Sequence, residues 1–293
     1  MTDAMTPARR LRELLGGPAF IAPGCYDAFT ALLIEQAGFA CAYVSGASVA
    51  FTKLGRPDIG LTTLTEVAET VGNIRDRVEL PLIVDGDNGF GNALNVQRTV
   101  RLLEKMGASA IQLEDQTLPK RCGHLEGKSL VSTGEMLGKI RAAQDARTDP
   151  ATVIVARTDA IAVDGFEAGM ERAHAYVEAG ADVLFVEALR TREQLERAGR
   201  EFGARIPLLA NMVEGGKTPL LSISELEALG FRLAIHPGAM LRVVGYAATS
   251  YLATLRADGT TRGMLDRMFD FQQLNGVIGT DGMLAAGDAY REL

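Results

Sequence analysis

Short apolar runs alternate with longer amphipathic stretches along almost the whole chain. The runs, rich in Val, Ile, Leu and Ala, are PAFIAPG (18–24), ACAYVSG (40–46), LPLIVDGD (80–87), ASAIQLED (108–115), TVIVARTD (152–159), DVLFVEA (182–188), PLLANM (207–212) and RLAIHPG (232–238). They are continuously apolar where a half-exposed strand would alternate, the pattern of strands buried on both faces in a parallel sheet. Between them lie charged segments with helical spacing: DAFTALLIEQAGF, LTEVAETVGNIRDRV, LNVQRTVRLLEKMGA, TGEMLGKIRAAQDAR, GFEAGMERAHAYVEAGA, TREQLERAGREFG and ISELEALGF. Most of these end in Gly just before the next run, as helices commonly do. Near the start, Thr6-Pro7 reads as an N-cap followed by proline at the first helical position.

Eight strand–helix repeats in about 250 residues have the size and rhythm of a (β/α)8 TIM barrel, an α/β fold. The competing doubly wound sheet would carry a glycine fingerprint after its first strand, and none is present. After about residue 240 the chain stays helical (MLRVVGYAATSYLATLRADG, TRGMLDRMFDFQQLNG), beyond any eighth strand. The expectation is a single barrel domain over residues 1–293, with 240–293 as a helical extension that packs on another subunit.

Composition narrows the partners. The 293 residues carry a net charge of -7, with 23% charged residues, 6% aromatics and no Trp. Nothing there supplies the basic surface or stacking platform that a nucleic acid requires, nor basic runs for an anionic membrane. No run is long enough to span a bilayer, and MTDAMTPARRLRELLGG lacks the apolar core of a signal peptide. Three widely spaced cysteines, Cys25, Cys41 and Cys122, make neither a disulfide framework nor a zinc pattern. A reducing cytoplasm is the expected location.

Chemistry collects at the C-terminal ends of the predicted strands: Tyr43 and Ser45; Asp85 and Asp87; Glu114 and Asp115; Arg157 and Asp159; Glu187; Asn211 and Glu214; His236. In a barrel these ends share one mouth, where the catalytic groups of this fold sit. A single carboxylate past a strand is as readily a helix N-cap. So many facing one mouth would repel each other unless something positive sat among them. Asp85, Asp87 and Glu114 are oxygen donors, with no Cys or His at ligand spacing, which favours Mg2+ or Mn2+ over zinc. His174, on an outer helix, reads as a surface or packing residue; His236 reads equally as a mouth residue or a cap.

LPKRCGHLEGK (118–128) follows the strand ending in Glu114, so it rises from the same mouth. Its glycines at 123 and 127 allow it to act as a lid. Lys120, Arg121 and His124 surround Cys122 in the sequence, and nearby cations lower a thiol pKa. By contrast Cys25 and Cys41 sit in apolar stretches and read as small hydrophobes.

VDGDNGFGNALNVQRTV, IQLEDQTLPKRCGH, ARTDA, FVEA and NMVEGGKTP, in this order, together resemble the isocitrate lyase/phosphoenolpyruvate mutase superfamily, over nearly the whole chain. The K-[KR]-C-G-H loop resembles that of its carbon–carbon lyases. The resemblance implies a barrel whose last helix is swapped between subunits of a homotetramer. It implies that Asp85 binds Mg2+ directly, while Asp87, Glu114 and Asp58 hold the ion's waters. It implies that Tyr43, Ser45, Gly46 and Ala47 cradle a 2-oxo acid, and that Gly123, His124, Arg157, Glu187 and Asn211 contact substrate. Lys120 and Cys122 would act from the lid. Three positions depart from the usual pattern: Ala47 where many relatives have Gly, Gly86 where Ala is usual, and Leu125 where Arg follows the CGH of tricarboxylate lyases. The last favours a smaller, more apolar substrate.

The expected reaction is Mg2+-dependent cleavage of a malate-type 2-hydroxy dicarboxylate (2,3-dimethylmalate or 2-methylisocitrate-like) to a 2-oxo acid such as pyruvate plus a carboxylate. Cys122 would be the general acid, with Tyr43 or Glu187 as the base for the hydroxyl. Alternatives on the same fold are a carboxyphosphonoenolpyruvate phosphonomutase-like P–C enzyme and a 2-oxo diacid decarboxylase. A metabolite-binding barrel without catalysis would have no use for the thiol.

Overall fold

In the computed structural model, which describes residues 5–123 and 127–291, eight parallel strands close into a barrel in simple chain order. They are β1 (Phe20–Cys25), β2 (Ala42–Val44), β3 (Leu82–Asp85), β4 (Ala110–Glu114), β5 (Val153–Thr158), β6 (Val183–Val186), β7 (Leu208–Asn211) and β8 (Leu233–His236). Seven lie within their expected apolar runs and β1 passes the end of its run by one residue, Cys25, while β1 closes the ring on β8 through the register Phe20–Leu233 to Pro23–His236. The doubly wound alternative is thereby excluded.

The seven expected helices also form, as Ala28–Gln36, Leu64–Arg77, Ala93–Lys105, Thr133–Ala146, Phe166–Glu178, Arg192–Phe202 and Ile223–Ala228. Their starts are set by side-chain caps. Asp27, Thr63, Asn92 and Ser222 each complete a capping box, in which the side chains at the cap and three residues later satisfy each other's backbone N–H. Thr6 accepts from the Arg9 N–H at 3.3 Å, with Pro7 as the first helical residue of Pro7–Gly16.

Two helices were not legible as such: Gly46–Leu54 and the short Ala160–Val163. Both begin within two residues of a strand's end, so their apolar residues read as a continuation of the strand.

Inside the barrel, alternate residues of the strands make one cluster that includes Tyr43, Ile83, Ala110, Val153, Val155, Val183, Phe185, Leu209, Leu233 and Ile235. Leu11 and Leu15 of the first helix join it, together with Ala22 and Cys41. The barrel is therefore a packed core and not a channel, and its chemistry is confined to the strand ends.

The chain divides into two compact units, Met1–Ala239 and Met240–Leu293. The second holds most of the Ala239–Asp258 helix, a 3-10 turn over Arg262–Arg267, and the helices Phe271–Ile278 and Thr280–Asp288. It exposes large apolar side chains, among them Tyr246, Phe271 and Met283. No described helix is long and apolar enough to cross a membrane.

Candidate active site

Inward-facing residues recur every second position along a strand. Continuing the core series by two residues leads from Ile83 to Asp85, from Ala110 through Gln112 to Glu114, and from Val155 to Arg157. The same step leads from Phe185 to Glu187 and from Leu209 to Asn211. One period thus carries five charged or polar groups into the mouth from β3–β7.

The same rule turns Asp115 away. Its carboxylate accepts from the Thr158 hydroxyl (2.7 Å), the Tyr176 hydroxyl (2.7 Å) and Arg172 Nη1 (3.3 Å), binding β4 and β5 to the Phe166–Glu178 helix. It is a structural tie and not a member of the mouth cluster.

On one side of the mouth, Lys120 Nζ stands 2.5 Å from Asp58 Oδ1 and 2.7 Å from Asp87 Oδ1, with all three side chains buried. Burial alone would lower the lysine pKa, but Asp87, Glu114, Asp58 and Asp85 outweigh it and hold the ammonium well above its usual range. Burial, with Asp85 and Asp58 adding to it, pushes the Asp87 carboxyl up to about 7 against the pull of Lys120. Burial likewise raises Glu114 well above the usual carboxylate range, although Arg157 opposes it. These are signs of carboxylates gathered beyond what one ammonium neutralises. Asp87 also takes a positive φ of 48°, and its carbonyl accepts from the Glu114 N–H at 2.9 Å.

Among the described residues no three Asp, Glu, His or Cys side chains converge closely enough to ligate an ion by themselves. Magnesium does not demand that. It keeps several waters and is commonly held by one or two carboxylates. Glu114 Oε1 is buried with neither hydrogen-bond nor ion-pair partner among the described residues, an acceptor left for something else. An all-oxygen, over-acidic, buried donor set with one orphaned oxygen fits a hard dication, which Asp85 would hold with Asp58, Asp87 and Glu114 around it.

Across the mouth, Arg157 joins three carboxylates. It donates to Asp159 Oδ2 (2.9 Å) and Oδ1 (3.0 Å), and its Nη1 and Nη2 lie 3.4 Å from Glu114 and 3.7 Å from Glu187. Its guanidinium also lies over the Phe185 ring at 5.1 Å. Glu187 is oriented by the Ala188 N–H (2.9 Å) on one oxygen and Asn211 Nδ2 (3.0 Å) on the other. Asn211 Oδ1 has no hydrogen-bond partner among the described residues. His236 faces Glu214, not the cluster, at 3.2 Å.

At the head of the Gly46–Leu54 helix, Ser45 is the N-cap and accepts from the Ser48 N–H at 3.2 Å. Gly46 and Ala47 occupy the first turn, whose N–H groups have no intrahelical acceptor, the arrangement that suits an anion. A Cβ on Gly46 would stand 3.0 Å from Asp85 Oδ2, so this end lies directly beside that carboxylate.

The thiol loop runs between the two sides of the mouth. The Cys122 N–H donates to the Asp58 carbonyl at 3.1 Å, and Gln116 clasps Arg121 through both its N–H (2.9 Å) and its carbonyl (2.8 Å). Gly123 passes so close to the second side that a Cβ there would sit 2.5 Å from Arg157 Nη2 and 3.2 Å from Glu187 Cδ. Lys128 Nζ ties the Gly123 carbonyl (2.6 Å) to Asp159 (2.7 Å). The expectations for His124 and Leu125 lie outside the described residues.

Cys122 is half-buried, whereas Cys25 and Cys41 are fully buried. Burial pushes the Cys25 thiol up to about 12, and the Cys41 thiol is raised still further. Because the thiolate is the reacting species, a thiol reagent applied to the native protein modifies Cys122 first. Peptide mass mapping over time will show Cys25 and Cys41 labelled only on unfolding. Labelling of all three at one rate would contradict this arrangement.

Sequence reasoning missed three side chains. Gln112, Gln116 and Lys128 each hold a mouth residue or the loop in place. Gln112 did carry a signal, as a polar residue inside the otherwise apolar β4 run. Gln116 and Lys128 carried none, because only the folded loop shows what they touch.

Residues 11–256 match the family model described as phosphoenolpyruvate phosphomutase. The chain is 44% identical to a 2,3-dimethylmalate lyase of Eubacterium barkeri over 94% of its own length and 96% of that protein. It is 46% identical to a 2-methylisocitrate lyase of Aeropyrum pernix, over 93% and 87%. A crystal structure of a 2,3-dimethylmalate lyase superposes with a TM-score of 0.91 at 36% identity, covering 97% of this chain and 96% of that one. A phosphonopyruvate hydrolase in complex with oxalate and Mg2+ superposes with a TM-score of 0.88 at 31% identity, covering 98% and 99%.

Proposed function

This chain belongs to the phosphoenolpyruvate phosphomutase family, and from that premise we propose that it is a magnesium-dependent carbon–carbon lyase. It cleaves a malate-type 2-hydroxy dicarboxylate into a 2-oxo acid such as pyruvate and a second carboxylate. The observation that carries this reading is the double fastening of Asp58. Its carboxylate is bound to Lys120, and its carbonyl to the Cys122 N–H, so the thiol loop is anchored on the acidic cluster itself.

The chemistry assigns each residue a task. The N–H groups of Gly46 and Ala47, with Ser45, hold the carboxylate of the forming oxo acid. Bound magnesium supplies Lewis-acid stabilisation at that end of the substrate. Arg157 and Asn211 bind the oxygens of the departing half, where charge develops. Glu187 takes the hydroxyl proton. Tyr43 is the weaker choice for that step, because burial raises its phenol well above the ordinary value and its proton is already given to Gln112 at 3.1 Å. The oxygen lone pair closes to a carbonyl as the C–C bond breaks, and the bonding pair stays on the carbon beside the second carboxylate. The Cys122 thiol then gives its proton to that carbon, after which solvent re-protonates the sulfur and accepts the proton from Glu187.

The test is a panel of malates with 2- and 3-substituents, together with oxaloacetate and a phosphonate, incubated with Mg2+. Release of a 2-oxo acid from a substituted malate is the expected result. Turnover of the phosphonate alone would move the protein to the P–C branch, which the 41% identity to a carboxyvinyl-carboxyphosphonate phosphorylmutase of Arabidopsis thaliana keeps in view.

The exposed apolar side chains of the 240–293 unit are covered by other copies of the chain, in a homotetramer with exchanged helices. A patch of this kind is a usual mark of an interface. Light scattering is expected to give a tetramer, and a monomer at working concentration would refute the assembly.

A further inference from the structure

We propose that Gln112 is a positioning residue that decides which oxygen of Asp85 is offered to the divalent ion, an inference that rests on the magnesium-dependent reading above. Gln112 is completely buried in β4, two residues before Glu114 and on the same inward face. Its amide bridges two groups: Oε1 accepts from the Tyr43 hydroxyl at 3.1 Å, and Nε2 donates to Asp85 Oδ1 at 3.2 Å.

Chemistry at both ends fixes the amide in this orientation. The buried phenol needs an acceptor, and a carboxylate oxygen needs a donor. Turning the amide over would set Oε1 against Asp85 Oδ1, two acceptors facing each other with no proton between them.

Asp85 Oδ1 is further engaged by the Asp87 N–H at 3.2 Å. Oδ2 makes no hydrogen bond among the described residues, and it is the oxygen beside Gly46. The bridge therefore leaves Oδ2 for the ion, on the side where the oxo-acid cradle begins. A neutral amide does this without adding charge to a mouth already crowded with carboxylates. Close packing supports the bridge. The Gly86 N–H donates to the Gln112 carbonyl at 2.9 Å, and a Cβ on Gly86 would come within 2.8 Å of that oxygen. The glycine between Asp85 and Asp87 thus lets β4 approach the end of β3 closely enough for the amide to reach Asp85.

The experiment is calorimetric titration of Mg2+, in the presence of oxalate, into metal-free wild type, Gln112→Met, Tyr43→Phe and the variant carrying both. Gln112→Met retains size and loses both hydrogen bonds, and it is expected to weaken Mg2+ binding about 10–100-fold, the usual effect of removing a group that orients a ligand. Tyr43→Phe frees only the far end and is expected to give a smaller loss. The double variant should be no weaker than Gln112→Met alone, because both act through one bridge. A folded Gln112→Met protein with wild-type Mg2+ affinity overturns the proposal and leaves the lyase reading standing. If that variant fails to fold, Tyr43→Phe decides, and unchanged affinity there overturns it. If wild type itself binds no Mg2+, the magnesium reading falls, and the role of Gln112 with it.

Discussion

Replacing Cys122 with alanine lowers turnover of the preferred malate by about 10²–10⁴-fold, the range that a positioned general acid supplies. The same variant binds Mg2+ and oxalate as wild type does. The two halves of this expectation separate the thiol's chemistry from its surroundings. Cys122 is tied to the acidic cluster through its backbone N–H, which alanine keeps, so the loop's anchorage on Asp58 survives the substitution. What is removed is the proton donor proposed for the departing carbanion. The measurement is steady-state release of the 2-oxo acid alongside calorimetry. Near-normal turnover would remove Cys122 from the acid role, and lost Mg2+–oxalate binding would make it structural.

Arg157→Met is expected to destabilise the protein by about 3–5 kcal/mol, the cost of leaving a buried charge unpaired. Arg157 is buried, held charged by Asp159, Glu114 and Glu187 although burial opposes it. Among the described residues, Asp159 then retains only Lys128 as a cationic partner, and Glu114 loses the one cation within 4 Å of it. Urea denaturation monitors the effect as a lower midpoint at unchanged slope.

The pH dependence has a definite sign. Burial would raise the Asp159 pKa, but Arg157 and Lys128 overcome it and bring it below the ordinary value. A carboxylate depressed in the folded state stabilises the fold above its unfolded pKa of about 4, and that contribution is lost as pH falls through the folded value. Arg157→Met should therefore lose most stability at neutral pH and show a shallower decline in acid. An unchanged midpoint at pH 7 would mean that the ion pairs contribute nothing net.

How far the sequence reaches can be judged residue by residue. The eight strands were legible because, apart from the partly buried β1, they are buried almost throughout and so form unbroken apolar runs, and the helices because their caps and spacing agree. Gly46–Leu54 was not, because an apolar helix that begins at a strand's end has no polar boundary to announce it. Asp85, Glu114, Arg157, Glu187 and Asn211 could be placed at the mouth from strand ends alone. Asp115 could not be separated from Glu114 until the two-residue period was anchored by the core. The pairing of Lys120 with Asp58 crosses more than sixty positions of chain, and no local pattern encodes such a contact. Gln112 shows the same limit from the other side: a polar residue in an apolar run stands out, but its two partners are chosen by the closed barrel.

The proposed cleavage depends most on a divalent ion holding the oxo-acid end of the ligand at Asp85. Calorimetric titration of oxalate into metal-free protein, with and without Mg2+, and into Asp85→Ala tests it directly. The prediction is oxalate binding that requires Mg2+ and disappears in Asp85→Ala. Equal binding in the absence of Mg2+, or undiminished Mg2+-dependent binding in Asp85→Ala, would contradict it.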